Sequence, residues 1–231
     1  MIKNSFSFVE KIKNLTLGPN EKMVSFDAAA LFPSVPISDC LNHILNLLKN
    51  DPNLPRRTKL SPEEIIDLSS LCLSTSDFIY NDRHNSTKDS GPIRLSLMVT
   101  VSQICMIYTM DNAIPIATEK SLAIPRHLSI YMDDCWCTLE YQPAPRRPGL
   151  RSDNQRVDPA AAFNECLNEV HPRVQFTREE EENKSIAFLD VYLTHQNNGS
   201  ISTHVYRKCS NTIVTIKPQS CQNPLTIIAT F

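Results

Sequence analysis

An α+β fold, with an antiparallel sheet carrying helices packed on one face, is what this 231-residue sequence predicts. Three observations lead there. A β-prone run, LSIYMDDCWCTLE (128–140), folds back on itself at Asp133-Asp134. Two alternating runs flank Asn198-Gly199, the dipeptide that most strongly marks a tight hairpin. Ahead of the first of these, helical segments follow one another without the regular strand–helix alternation of a parallel sheet.

The elements follow in order. Residues 1–22 read as a polar helix or lead-in, broken at Gly18-Pro19. Lys22–Leu31 holds Val24 and Phe26 ahead of Asp27, a short strand ending on an acid. Phe32-Pro33-Ser34-Val35-Pro36 continues neither regular structure, since each proline removes a donor and restricts its predecessor. Leu41, Ile44, Leu45 and Leu48 then recur at helical spacing within Ile37–Lys49, with Ser38 as the expected N-cap. DPNLPRRTK (51–59) reads as a loop, and Ser61-Pro62-Glu63-Glu64 as a capping box opening a second helix. Phe78–Tyr80 reads as a strand, Asn81–Ser90 as a polar turn or loop, and Leu97–Glu119 as a buried helix ending near Pro115. After the aspartate hairpin, Tyr141–Ala162 is proline- and arginine-rich and predicts a surface loop or insertion. Phe163–Glu169 predicts a short helix, Arg173–Thr177 a strand, and Glu179–Glu182 a solvated charged turn. Ala187–His195 and Ser200–Arg207 are the two arms of the Asn-Gly hairpin.

Composition narrows the classes. With 41% hydrophobic and 21% charged residues, a folded soluble protein is expected. The net charge of −2 and pI near 6.3 carry no global sign of nucleic-acid binding, so any such contact relies on local patches. No run of 18 apolar residues occurs, and residues 1–17 carry three lysines and a glutamate, unlike a signal peptide or membrane span. Eight cysteines without a CxxC pair suit a reduced, intracellular compartment rather than a disulfide framework or zinc site. Cys135 and Cys137 share a strand face and read as small core residues.

Two adjacent acids inside an apolar run are either a solvated turn or part of a divalent-metal site. The third carboxylate such a site needs has a candidate in Asp27, at the end of its own strand. Three converging carboxylates repel unless cations occupy the space between them. Hard oxygen ligands favour two Mg²⁺, with Mn²⁺ as the alternative, and a paired-metal site suits in-line phosphoryl transfer.

VSFDAAALFPSVPI (24–37), SPEEII (61–66), YMDD (131–134) and FLDVYLTHQNNGSISTHVYRK (188–208) resemble the reverse transcriptase domain of Penelope-like retroelements. The resemblance runs over nearly the whole chain and is weakest at 141–162 and after about residue 210. It implies a polymerase palm and an RNA-directed DNA polymerase acting on an RNA template, a DNA primer and dNTPs, without a membrane. A nuclear location would follow from that likeness. On it, Asp27, Asp133 and Asp134 are the catalytic acids, and the Ala28 carbonyl completes a metal shell. Phe32 falls where an aromatic steric gate favours deoxynucleotides, its alternative being a core aromatic. Gly91 and Pro92 belong to the nucleotide-binding turn, and Phe188 and Leu189 to the region that positions the primer end, with Asp190 structural. Lys184 is either a general acid toward pyrophosphate or a surface lysine.

The chain departs from that pattern after Pro92. The inner glycine position holds Arg94, followed by Leu95 and Ser96 where serine and proline are expected. A side chain there lacks glycine's φ freedom and occupies nucleotide space. The expected layout is residues 1–22 as a lead-in from a missing fingers region, 23–195 as the palm with an insertion at about 141–162, and 196–231 as a closing hairpin and the start of a thumb. A truncated, partly degraded copy is therefore expected. The alternatives to a polymerase are a non-catalytic remnant or interaction module retaining the palm fold, and, less well supported by the acids present, a two-metal nuclease.

Overall fold

The computed structural model describes residues 1–74, 77–86, 95–141 and 158–207. Helix α1 (Ser5–Ile12) leads into strand β1 (Glu21–Ala28). Then come α2 (Leu31–Ser34), α3 (Ile37–Lys49), α4 (Leu54–Arg57) and α5 (Pro62–Ser74). Strands β2 (Asp77–Tyr80) and β3 (Arg83–Ser86) form a separate hairpin, so part of the expected 81–90 loop is a strand. Helix α6 (Ser96–Glu119) precedes β4 (His127–Tyr131) and β5 (Asp134–Glu140). The remainder is α7 (Pro159–Val170), β6 (Phe176–Glu180), β7 (Ser185–Phe188), β8 (Val191–His195) and β9 (Ile201–Val205).

Strands β4-β5-β1-β6 form one antiparallel sheet and β7-β8-β9 another. Strand alternation sends Val24, Phe26, Ala28, Cys135, Cys137 and Leu139 to one face of the larger sheet, where α6 and α7 cover them. Phe26 meets Phe163 of α7 at a ring distance of 5.7 Å. The other face is covered too. Met23 and Trp136 pack against Phe8 and Ile12 of α1 and against Ile186, Phe188, Val191 and Leu193 of the smaller sheet. Phe8 lies 5.3 Å edge-on from Trp136 and 4.8 Å from Phe188. The lead-in thus carries a two-residue apolar stripe, one helical turn apart, that seals this second core.

Several local expectations shift. The Phe32–Pro36 segment contains a single helical turn, α2, entered through Ala30 at φ 49°; Pro33 falls in a first turn where no N–H is needed. Ser38 does not cap α3, which begins after Pro36 without a side-chain cap. The 51–59 loop contains the short helix α4 with proline in its first turn. The second capping box forms as expected: Glu64 N–H donates to Ser61 Oγ at 3.2 Å and Ser61 N–H to Glu64 Oε2 at 2.7 Å. Helix α6 continues past Pro115 to Glu119, because Ala113 and Ala117 on either side are buried in the larger core. It is long and apolar enough to cross a membrane, but here it is the central core helix, burying Met98, Val101, Cys105, Met106 and Met110.

Helix α7 starts at Pro159, capped by Asp158, whose carboxylate accepts from Ala160 N–H at 3.1 Å, so only 142–157 of the expected loop remain outside the described residues. Strand β6 runs later than expected, and its glutamates do structural work instead of lining a solvated turn. Glu180 accepts from Tyr141 OH at 2.8 Å, and Glu181 Oε2 accepts from Met23 N–H at 3.1 Å. The expected Ala187–His195 arm is broken at Leu189-Asp190, where Leu189 takes φ 55°.

The Asn198-Gly199 hairpin forms as expected between β8 and β9. Gly199 sits at φ +85°, and a Cβ there would lie 2.6 Å from the Leu17 carbonyl oxygen. Gly199→Ala should therefore lower stability by about 1–3 kcal/mol, read as a loss in urea midpoint.

Glu21 is a buried charge at the start of β1. It accepts from Gly18 N–H (3.0 Å), Thr138 Oγ1 (2.5 Å) and Arg126 Nη1 (3.0 Å). Burial alone would raise its pKa, but these hydrogen bonds, with the charges of Arg126 and His127, bring it below the ordinary glutamate value. A folded-state pKa below the unfolded one gives stability that is present above the unfolded value and lost as pH falls through the folded one. Glu21→Gln should cost about 2 kcal/mol at neutral pH, and urea titrations should show the gap to wild type closing below about pH 4.

Candidate active site

Asp27 is the penultimate residue of β1, and the first residue of β5, Asp134, stands directly opposite it. On the other side Asp27 faces Thr177 of β6, whose Oγ1 donates to the Asp27 carbonyl at 3.4 Å. The β4–β5 turn is two residues long, Met132-Asp133, closed by the pairing of Tyr131 with Asp134. Met132 takes φ 53°, the left-handed conformation such tight turns require, and its sulfur accepts from Gln103 Nε2 of α6 at 3.3 Å. Ala28 N–H donates to the Asp133 carbonyl at 3.1 Å, tying the turn to the end of β1.

Parity decides where the side chains go. Phe26 and Cys135 face the helices, so Asp27 and Asp134 face the opposite side with Ser25 and Trp136, beyond the part that α1 and the smaller sheet cover. There they line a cleft of about 250 Å³ together with Thr177. Its far wall is Ala187, Phe188 and Leu189 at the β7–β8 turn, with Tyr206 just past β9. The thiol of Cys135 beneath registers the converging charge: burial first, then Cys137, Asp134, Asp27 and Asp133, push its pKa well above the ordinary thiol value.

Carboxylates paired directly across two strands destabilise a sheet by about 0.2–1 kcal/mol relative to neutral pairs. Local rules broken in this way mark functional positions. The donor set, carboxylate oxygens from two facing strands, fits a hard divalent cation. Among the described residues, however, no cluster of three or more His, Cys, Asp or Glu side chains is arranged to close around one ion.

Asp27, Asp134, Phe188 and Leu189 line the cleft together; Ala28 and Asp133 adjoin it in sequence and are joined to each other through the backbone, while the Ala28 methyl packs in the helix-facing core. The structure does not bring Phe32 or Lys184 to the cleft. Phe32 is half-buried against the helical core, in keeping with its alternative reading as a core aromatic. Lys184 is exposed in the turn just before β7, at φ 62°, where its Nζ donates to Asn197 Oδ1 at 3.0 Å. Gly91, Pro92 and Arg94 lie outside the described residues. Asp190 anchors structure: its carboxylate accepts from Ser5 Oγ at 3.3 Å and its carbonyl from Tyr206 N–H at 2.8 Å. Ser25, Thr177 and Tyr206 were not legible as cleft residues; for Tyr206 the available signal was its place in VYRK, which carried no role of its own.

No family model and no curated protein sequence matches the chain. Solved structures do. An apo telomerase from Candida tropicalis, truncated of its C-terminal domain, is similar with a TM-score of 0.53 and 14% identity over 86% of this chain and 37% of that one. The BmCPV RNA-dependent RNA polymerase at its elongation state gives 0.53 and 15% over 87% of this chain and 18% of its own. A Candida albicans telomerase in complex with a TWJ fragment of telomeric RNA gives 0.52 and 11% over 87% and 36%. The chain therefore spans well under half the length of these polymerases. At such identities the likeness is one of fold, and that fold is the palm-like α+β fold of nucleic-acid polymerases.

Proposed function

We propose that this chain is the palm of an RNA-directed DNA polymerase, a reverse transcriptase domain of the Penelope-like retroelement kind. The observation that carries the reading is the cross-strand pairing of Asp27 with Asp134 at the mouth of the cleft, Asp133 adjoining in the turn. The order of FDxxxLFxSVP, YMDD and FLDV…VYRK and the palm-like fold support it.

In this reading Asp27, Asp133 and Asp134, with the Ala28 carbonyl, would hold the metal ions. Two Mg²⁺, or Mn²⁺, supply when bound the activation of a primer 3′-hydroxyl and the neutralisation of charge on the transferred phosphoryl group. The protein's own part is placement. The rigid pairing of β1 with β5 fixes the carboxylates, and Phe188 and Leu189 wall the cleft where a primer end would lie. Thr177 holds the Asp27 backbone from the other side. An RNA template, a DNA primer and dNTPs are the proposed partners.

A second reading, the same fold without chemistry, is favoured by Arg94 and Leu95 where a glycine-rich turn is expected. Primer extension on an RNA template with dNTPs and Mg²⁺ separates the two. The polymerase reading expects extension that Asp133→Ala abolishes. Absence of extension even with a fingers segment supplied and Arg94→Gly, Leu95→Ser and Ser96→Pro introduced leaves the non-catalytic palm.

A further inference from the structure

The chain has six methionines, all among the described residues, and burial divides them. Met23, Met98, Met106 and Met110 are at most 1% exposed, sealed in the two cores. Met1, at the start of the chain, is exposed. Met132 alone is both reachable from solvent and built into the fold, in the β4–β5 turn beside Asp133. Its thioether has a fixed partner, the Gln103 Nε2 of α6 that donates to Sδ at 3.3 Å. The backbone at φ 53° leaves the side chain little freedom to be re-aimed. The same turn carries the Asp133 carbonyl that accepts from Ala28 N–H, one residue past Asp27. A change at this sulfur is therefore felt by both strands that carry the acids.

We infer that Met132 is a redox-sensitive modification site, whose conversion to the sulfoxide by a peroxide loosens the acid-bearing turn. A sulfur lone pair attacks one peroxide oxygen, and the S–O bond forms as the O–O bond breaks. The departing hydroxide takes the proton of the transferred oxygen and leaves as water, so sulfur is oxidised by the two electrons that reduce the peroxide. Gln103 occupies one of the two sulfur lone pairs, so the oxygen enters on the other and a single sulfoxide epimer forms. The oxidised sulfur carries partial positive charge and no longer accepts from the Gln103 amide, whose N–H must follow the new oxygen or go unpaired. In either case the tie from α6 to the turn is lost in its present geometry. The consequence for catalysis rests on the polymerase reading; the oxidation and the loosening do not.

The test treats the full chain with hydrogen peroxide and maps the added oxygen by peptide mass spectrometry. Met132 should oxidise alongside Met1 and at least about tenfold faster than Met23, Met98, Met106 or Met110. One epimer-specific methionine sulfoxide reductase should restore Met132 while the other does not, and Gln103→Ala should yield both epimers. Hydrogen exchange in EDTA, where no metal takes part, should rise about tenfold at Ala28 and across Tyr131–Asp134 in the oxidised chain. Peroxide-treated Met132→Leu, a swap that conserves volume and removes the sulfur, should show no such rise. The wild-type measurements stand whether or not the variants fold. Buried methionines that oxidise as fast as Met132, a mixture of epimers in the wild type, or exchange unchanged by oxidation of Met132 overturns the proposal. Selective oxidation with loosening, in a chain that never extends a primer, removes the polymerase reading and supports the redox site.

Discussion

Replacing Asp134 by asparagine should cut primer extension by at least about a thousandfold while making the metal-free protein slightly more stable. The first effect follows from the role proposed for the carboxylate. A ligand that helps neutralise a phosphoryl transition state contributes several kcal/mol, and each 1.36 kcal/mol is a factor of ten in rate. The second follows from geometry alone. Asp134 faces Asp27 across the β1–β5 ladder, and removing one of two opposed like charges relieves about 0.2–1 kcal/mol. That corresponds to a rise of about 1–4 °C in the melting temperature of a chain this size. Added Mg²⁺ should then stabilise the wild type and do so less for the variant, because a ligand stabilises only the fold that binds it. Thermal melts with and without Mg²⁺, beside an extension assay, check all three. An asparagine variant that extends like wild type would sink the catalytic assignment even if the melting shifts are as expected.

Trp136→Ala should produce the largest loss of stability, about 3–5 kcal/mol, or about 10 °C or more in melting temperature. Trp136 is the chain's single tryptophan and is fully buried, clasped by Phe8 at 5.3 Å in the core that joins α1 and the smaller sheet to the larger one. Its indole N–H has no hydrogen-bond partner among the described residues, so the loss is one of packing. Trp136→Phe should for that reason recover most of it, since no hydrogen bond is forfeited and a ring remains beside Phe8. Circular dichroism in urea is the measurement. Because Trp136 lies two residues from Asp134 on the same face, the alanine variant should also loosen the wall formed by Phe188 and Leu189.

Much of the fold was legible in local patterns. The Ser61–Glu64 capping box, the helical spacing of 37–49 and the Asn198-Gly199 turn act within a few residues and appear as read. Other local signals lost to tertiary contacts. Pro115 did not end α6, because the proline ring lies on the exposed face while Ala113 and Ala117 on either side of it are buried in the larger core. The long alternating arm 187–195 was broken at Leu189-Asp190, whose turn returns the chain over Met23 and Trp136. A polar lead-in proved to carry Ile2, Phe8, Ile12 and Leu17, four apolar residues too scattered for a periodic signal yet enough to seal a core.

The acids show the same division. Residue types and spacing alone mark Asp27, Asp133 and Asp134 as unusual, since charge at the end of an apolar strand and in a tight turn is visible in the letters. Register is not visible there. One residue of slip between β1 and β5 would send Asp27 toward α6 and Phe26 into water, because strand side chains alternate with period two. Which strands pair, in which parity, and what covers each face are set by contacts more than a hundred residues apart. Those non-local contacts set Asp27 across from Asp134, put Tyr206 in the same cleft, and kept Lys184 and Phe32 out of it.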